Sequence, residues 1–141
     1  MQRREPAVVA LVAAALVLTG CGGGGAAAST LPACADAGAS AALPDAFPAD
    51  LKLPPGTVVR EARDDGATIN VEALVPGEIR DGAAFLLDEL PQAGYVLGEG
   101  DSEEHEAESH FSGNGFDGFF KLSTIGDCDG ANTLALVLTR A

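Results

Sequence analysis

The chain has 141 residues, with 8 basic against 21 acidic side chains and a formal net charge of −13. That length supports one ordinary domain rather than two. The charge excludes a nucleic-acid backbone as partner and direct electrostatic docking on anionic lipid. The 47% hydrophobic fraction overstates the core, because Ala and the first twenty residues supply much of it, and six Phe, one Tyr and no Trp promise a modest interior.

Gln2-Arg3-Arg4-Glu5 is a short basic opening, and residues 7–18 form an uninterrupted apolar run. About a dozen apolar residues are too few to span a bilayer core, which needs roughly 20. Residues 1–20 are therefore expected to be a signal peptide. Leu18-Thr19-Gly20-Cys21 comes next, an aliphatic residue, a small one, Gly and then Cys. This tetrad resembles the lipobox of bacterial lipoproteins. The resemblance implies a diacylglyceryl group on Cys21, cleavage between Gly20 and Cys21, and attachment to the outer face of the cytoplasmic membrane. Each buried methylene contributes about 0.8 kcal/mol, and two or more acyl chains hold a protein stably. An acidic body repelled by headgroups suits such an anchor.

Residues 22–30 have almost no side-chain volume, and the chain stays rich in Ala, Gly, Ser and Pro as far as Leu43. Residues 21–43 read as a lipidated cysteine followed by a flexible tether. As a coil, residues 21–34 reach roughly 20 Å. There are three cysteines. With Cys21 acylated, Cys34 and Cys128 are left to each other in a compartment that permits disulfides, and a bond between them is expected. Neither has the Cys-x-x-Cys spacing or the nearby His that a metal site would use.

Residues 44–141 are expected to fold as one domain. Pro44, Pro48, Pro54 and Pro55 make residues 44–56 extended and irregular, with Leu51-Lys52-Leu53 as an edge segment. A strand over 57–62, the turn Asp64-Asp65-Gly66 and a strand over 67–75 read as a hairpin, with Ile69, Val71, Ala73 and Val75 on one face. Pro76-Gly77 breaks the second strand. Residues 79–90 carry Ala83, Leu86, Leu87 and Leu90 at helical spacing, and Pro91 and Gly94 close the helix. Residues 95–98 form a short strand. Residues 105–111 alternate, placing His105, Ala107, Ser109 and Phe111 on one face and Glu106, Glu108 and His110 on the other. Gly113-Asn114-Gly115 turns the chain, residues 116–125 return, and Asp127-Cys128-Asp129-Gly130 turns it into a last strand over 132–139. The order ββαββββ predicts an α+β domain, a single antiparallel sheet with one helix packed on it.

Leu53-Pro54-Pro55-Gly56-Thr57-Val58-Val59, the helix end Glu89-Leu90-Pro91-Gln92-Ala93-Gly94-Tyr95, and Gly126-Asp127-Cys128 resemble small actinobacterial envelope lipoproteins of unassigned function. These are turns and core positions, so the resemblance implies the fold and carries no activity.

The densest polar feature is Glu99, Asp101, Glu103, Glu104, Glu106 and Glu108, with His105 and His110 close by. Glu106, Glu108 and His110 at period two are candidate ligands for a divalent cation, since carboxylates suit Ca²⁺ and an added imidazole suits Zn²⁺. The competing expectation is a solvated outer face that keeps an edge strand soluble. Asp127-x-Asp129-Gly130 has Ala131 where a third calcium ligand would fall and reads as a turn. Neither histidine accompanies a nucleophile motif such as Gly-x-Ser-x-Gly, and a pair of carboxylates without any Trp makes a poor sugar cleft. No enzyme activity and no cofactor are expected. Phe116 and Phe119 cannot share one face of a regular strand, so either one Phe is exposed as a contact patch or the strand bulges at Gly118. The function expected is a membrane-anchored binding or structural module with an envelope protein as partner. The alternatives are an acidic cation-binding lipoprotein and a small envelope enzyme.

Overall fold

In the computed structural model, the described residues are 29–141. The expected signal peptide, its expected cleavage site and Cys21 lie outside the described residues.

Strands β1 (Val58–Asp64) and β2 (Thr68–Pro76) precede the helix α1 (Ile79–Gln92). Strands β3 (Val96–Ser102), β4 (Glu106–Gly113), β5 (Phe116–Thr124) and β6 (Ala131–Arg140) follow. They form one six-stranded sheet in the order β1-β2-β6-β5-β4-β3, with every neighbouring pair antiparallel. The domain is thus α+β, as the element order predicts. The last strand lies inside the sheet, between β2 and β5.

Period-two alternation decides which face is buried. Ile69, Val71, Ala73 and Val75 of β2 meet Leu134, Leu136 and Leu138 of β6, and Phe120 and Leu122 of β5 extend the layer. Ala107 and Phe111 of β4 complete it. Ile79, Ala83, Leu86 and Leu90 of α1 lie on this surface, which fixes the helix by its apolar stripe. Fully burying one such side chain is worth about 1.5–3 kcal/mol.

The helix runs two residues farther than the sequence suggests and contains Pro91. Proline is tolerated best in a first turn; at Pro91 the bond to the Leu87 carbonyl is lost and its ring crowds that carbonyl, and the helix ends within two residues. The end itself is a Schellman motif: the Tyr95 N–H donates to Leu90 O at 3.0 Å and the Gly94 N–H to Pro91 O at 3.1 Å. Gly94 sits at φ 90°, a left-handed value that glycine adopts without steric strain. Tyr95 then packs edge-on against Phe111, ring centroids 5.2 Å apart.

Of the two alternatives for Phe116 and Phe119, the bulge at Gly118 does not form, and β5 keeps register with both neighbours through that residue. Gly118 instead lies opposite Phe111, and a Cβ built there would meet the Phe111 ring at 2.1 Å. Of the two phenylalanines in question, Phe116 packs against the core and Phe119 is half-buried on the opposite face.

The sheet's edges are treated differently. Beside β1, the Ala41 N–H donates to Val59 O at 2.8 Å, and the Val59 N–H donates to Ser40 Oγ at 3.1 Å. Leu51-Lys52-Leu53 is not a strand. Leu51 is buried beside Phe47 in the main core, its N–H donating to Pro48 O at 3.1 Å. Lys52 reaches Glu89 of α1 at 3.3 Å. The second half of the segment read as tether is therefore held against the body. Cys34 and Cys128 are disulfide-bonded with Cα atoms 5.6 Å apart. Around them a small cluster joins Ala35, Leu74, Cys128 and Ala131, with Leu31, Ala37 and Ile125 alongside. Leu74 and Ala131 alternate with inward-facing residues, so this cluster covers one end of the face away from α1.

At the other end, Arg140 grips Asp64 with two prongs, Nη1 to Oδ1 at 2.9 Å and Nη2 to Oδ2 at 2.8 Å. The guanidinium also lies 5.9 Å from the Phe116 ring centroid. Its hydrogen bonds hold the Asp64 carboxyl below the usual carboxylate range, helped by the Gly66 N–H. A carboxyl with a depressed folded pKa contributes stability above its unfolded pKa and loses it as pH falls through the folded value. Asp64→Asn is therefore expected to lower the melting temperature at pH 7, with the gap to the native chain closing below about pH 4. Thermal melts across that range check it, and an equal gap at pH 7 and pH 3 would remove the ionic contribution.

Candidate functional site

The face of the sheet turned away from α1 carries a row of polar side chains that strand pairing organises. Strand register aligns one residue from each strand into a row running Asp101, Glu108, Lys121, Ala135, Glu72, Glu61. At the usual strand spacing the row spans about 24 Å. Five of its six members are charged, and four of those are carboxylates. Ala135 interrupts them.

The gap at Ala135 makes a trough. Its volume is about 520 Å³, with Lys121 on one wall, Glu72, Glu61 and Arg60 on the other, and Thr133 and Ala135 along the floor. Small side chains on the central strand create the depression, while longer ones on flanking strands wall it. Glu61 pairs with Arg63. Among the described residues, Glu72 and Arg60 have no ion-pair partner, so the trough offers one carboxylate and one guanidinium to a ligand. Two residues from the trough along β5, Phe119 contributes a half-buried ring whose cross-strand partner is Val137.

The proposed ligand trio is on this face but is not gathered into a metal site. Lys121 Nζ stands 2.7 Å from Glu106 Oε1 and 3.7 Å from Glu108 Oε2, occupying the place between the carboxylates that a cation would take. Hydrogen bonding to Glu106 in turn raises the Lys121 pKa, and the charge of Glu108 adds to it. His110 is drawn off by Phe119, ring centroids 4.8 Å apart. Among the described residues, no three of His, Cys, Asp and Glu come together as a ligand set. Lys121 is the residue that sequence reasoning missed. The signal was present, because counting outward from the Gly113-Asn114-Gly115 turn sets Lys121 opposite Glu108.

The remaining candidates are dispersed. His105 is not on the buried face with Ala107, because β4 begins at Glu106. His105 lies exposed in the preceding turn, where its carbonyl accepts the Thr124 N–H at 3.0 Å. Glu103 and Glu104 are exposed in the same turn, and Glu99 and Asp101 belong to β3. That strand reaches Ser102 rather than stopping at Gly98, as a register shift between Leu97 and Gly100 lets it follow β4. Asp127 and Asp129 are exposed beside buried Cys128, and Asp127 takes a left-handed φ of 63° that fits a turn. No protein-family model, curated protein or solved structure matches the chain.

Proposed function

We propose that the protein is a lipid-anchored module of the cell envelope that binds a protein partner through its open sheet face and catalyses no reaction. The observation that carries the binding half is the row of charges with its trough, a broad and concave polar surface that the helix leaves uncovered. Its carboxylate excess favours a partner with basic side chains. The anchoring half rests on Leu18-Thr19-Gly20-Cys21. Ser29 lies beside Gly56 and Gly77, at the end of the sheet where β2 gives way to α1. A tether that enters there leaves the open sheet face clear except at its Leu74 and Ala131 end. Among the described residues no helix is long and apolar enough to cross a membrane.

Cell fractionation tests the anchor. Cys21→Ala is expected to shift the protein from the membrane fraction to the soluble one, or to leave an uncut precursor. Normal processing with unchanged membrane attachment would sink the lipid anchor. In the same cells, a photo-crosslinker at Ala135 should capture an envelope protein, whereas one at Ala84 on the exposed side of α1 should not. Equal capture from both positions would remove the open face from the proposal.

A further inference from the structure

We infer that the free edge of β3 is a docking site for an extended, cationic strand of a partner protein. β3 ends the sheet, and among the described residues nothing pairs with its outer side. The opposite edge strand, β1, has Ser40 and Ala41 bonded to it. Backbone groups along an open edge are a template for one more strand.

Apolar surface gathers at this edge. Val96 on β3 is 70% exposed and Leu87 on α1 is 40% exposed, and they are the large hydrophobics most open to solvent among the described residues. Between Leu87 and Leu97 lies a groove of about 340 Å³ that continues past Gly98 and Gly100. The two glycines border it and let β3 lie close to β4. A Cβ on Gly100 would sit 2.6 Å from Glu108 O, and one on Gly98 would sit 3.3 Å from His110 Cβ. The β3 backbone can press against β4 only while both positions stay bare. A strand added here would hydrogen-bond to β3 and drop alternate apolar side chains beside Leu87 and Leu97.

Charge selects which strand. Glu99 and Asp101 are exposed on β3, Glu103 follows, and Asp101 and Glu108 line the groove. A second copy pairing edge to edge would set these carboxylates against their own counterparts, which repels. The same charges attract lysine or arginine at every second position of an incoming strand. Carboxylates that blunt an edge against self-association and neutral strands thus leave it receptive to a basic one. The inference is independent of the lipid anchor; it shares Asp101 and Glu108 with the open-face row, whereas Leu87 and Val96 belong to the edge alone, so Leu87→Asp separates the two.

The test uses the full chain in detergent and a fluorescent seven-residue peptide alternating Lys and Val, with a Glu-Val peptide as comparison. The Lys-Val peptide is expected to bind saturably, more weakly at high salt, with amide shifts concentrated in residues 96–102. Leu87→Asp should weaken it about tenfold or more, as loss of an apolar anchor does. Glu99→Lys with Asp101→Lys should reverse the preference towards the Glu-Val peptide. Both variants alter exposed side chains, and melting curves verify their folding; if Leu87→Asp is unfolded, the charge reversal decides alone. Equal binding of the two peptides by the native chain, shifts centred on β5 and β6, or concentration-dependent dimerisation through β3 would each overturn the inference.

Discussion

Replacing Cys34 and Cys128 together by Ser is expected to lower unfolding stability by about 2–4 kcal/mol. The bond closes a loop of 94 residues, so it restrains most of the unfolded chain. The loop-entropy account puts such a closure at roughly 4–5 kcal/mol, and measured effects are commonly smaller. A second contribution is local. Without the bond, the short turn Ala33–Ala35 is held only by the small cluster around Leu74 and Ala131, and that cluster opens to water. The main core has no part in the bond and should survive. The double variant is therefore expected to unfold at lower urea in one transition, with protease cutting now admitted within residues 29–43. An unchanged midpoint would mean that the clasp adds no stability, and loss of all native structure would mean that the main core depends on it.

Gly118→Ala is the second large effect, about 1–3 kcal/mol of lost stability from overpacking. The usual preference runs the other way, because Ala in a strand interior gains roughly 0.5–1 kcal/mol over Gly. Geometry reverses the sign. The added methyl would fall 2.1 and 2.2 Å from two Phe111 ring carbons, far inside van der Waals contact, and the ring is itself buried against Tyr95. Phe111 has nowhere to retreat except by displacing Tyr95 and the helix end above it. A compensating Phe111→Leu should recover part of the loss, giving a double-mutant coupling that two independent sites would not show. Urea melts of the four chains measure it. A neutral or stabilising Gly118→Ala would show that the ring moves aside freely.

These positions mark how far the sequence could be read. Strong alternation in β2 and β6 and the Leu-rich stripe of α1 were legible because each buries one face against the same core. The inward set of β4 was legible for the same reason, apart from His105. The extension of β3 was not, since Leu97-Gly98-Glu99-Gly100-Asp101 has neither alternation nor β-branched residues; its partner β4 imposes the strand. Pro91 ends most helices but here occupies a last turn already stabilised by Gly94 and Tyr95. The disulfide that ties Cys34 to the body was legible from the cysteine count, but the seating of Ser40 and Ala41 on β1 was hidden, because Ala and Gly give no periodic signal. At the candidate site, the shared face of Glu106, Glu108 and His110 was visible. Its occupation by Lys121 required the register of the β4–β5 hairpin, and the trough required knowing that β6 lies between β5 and β2.

That central placement of β6 governs when the domain can form. Residues 58–76 give a hairpin and residues 79–124 a helix with a three-stranded meander, and no strand of one half pairs with a strand of the other. Ala131–Arg140 joins them by pairing with both. Until that segment is available, both pieces keep an unpaired edge and much of their apolar surface uncovered, and the distant pairings make closure slow. A chain in which that segment has not yet paired therefore stays pliable, with two open edges in place of one closed sheet. Cropping the last ten residues would divide the sheet down its middle, where cropping β3 or β1 would merely trim it.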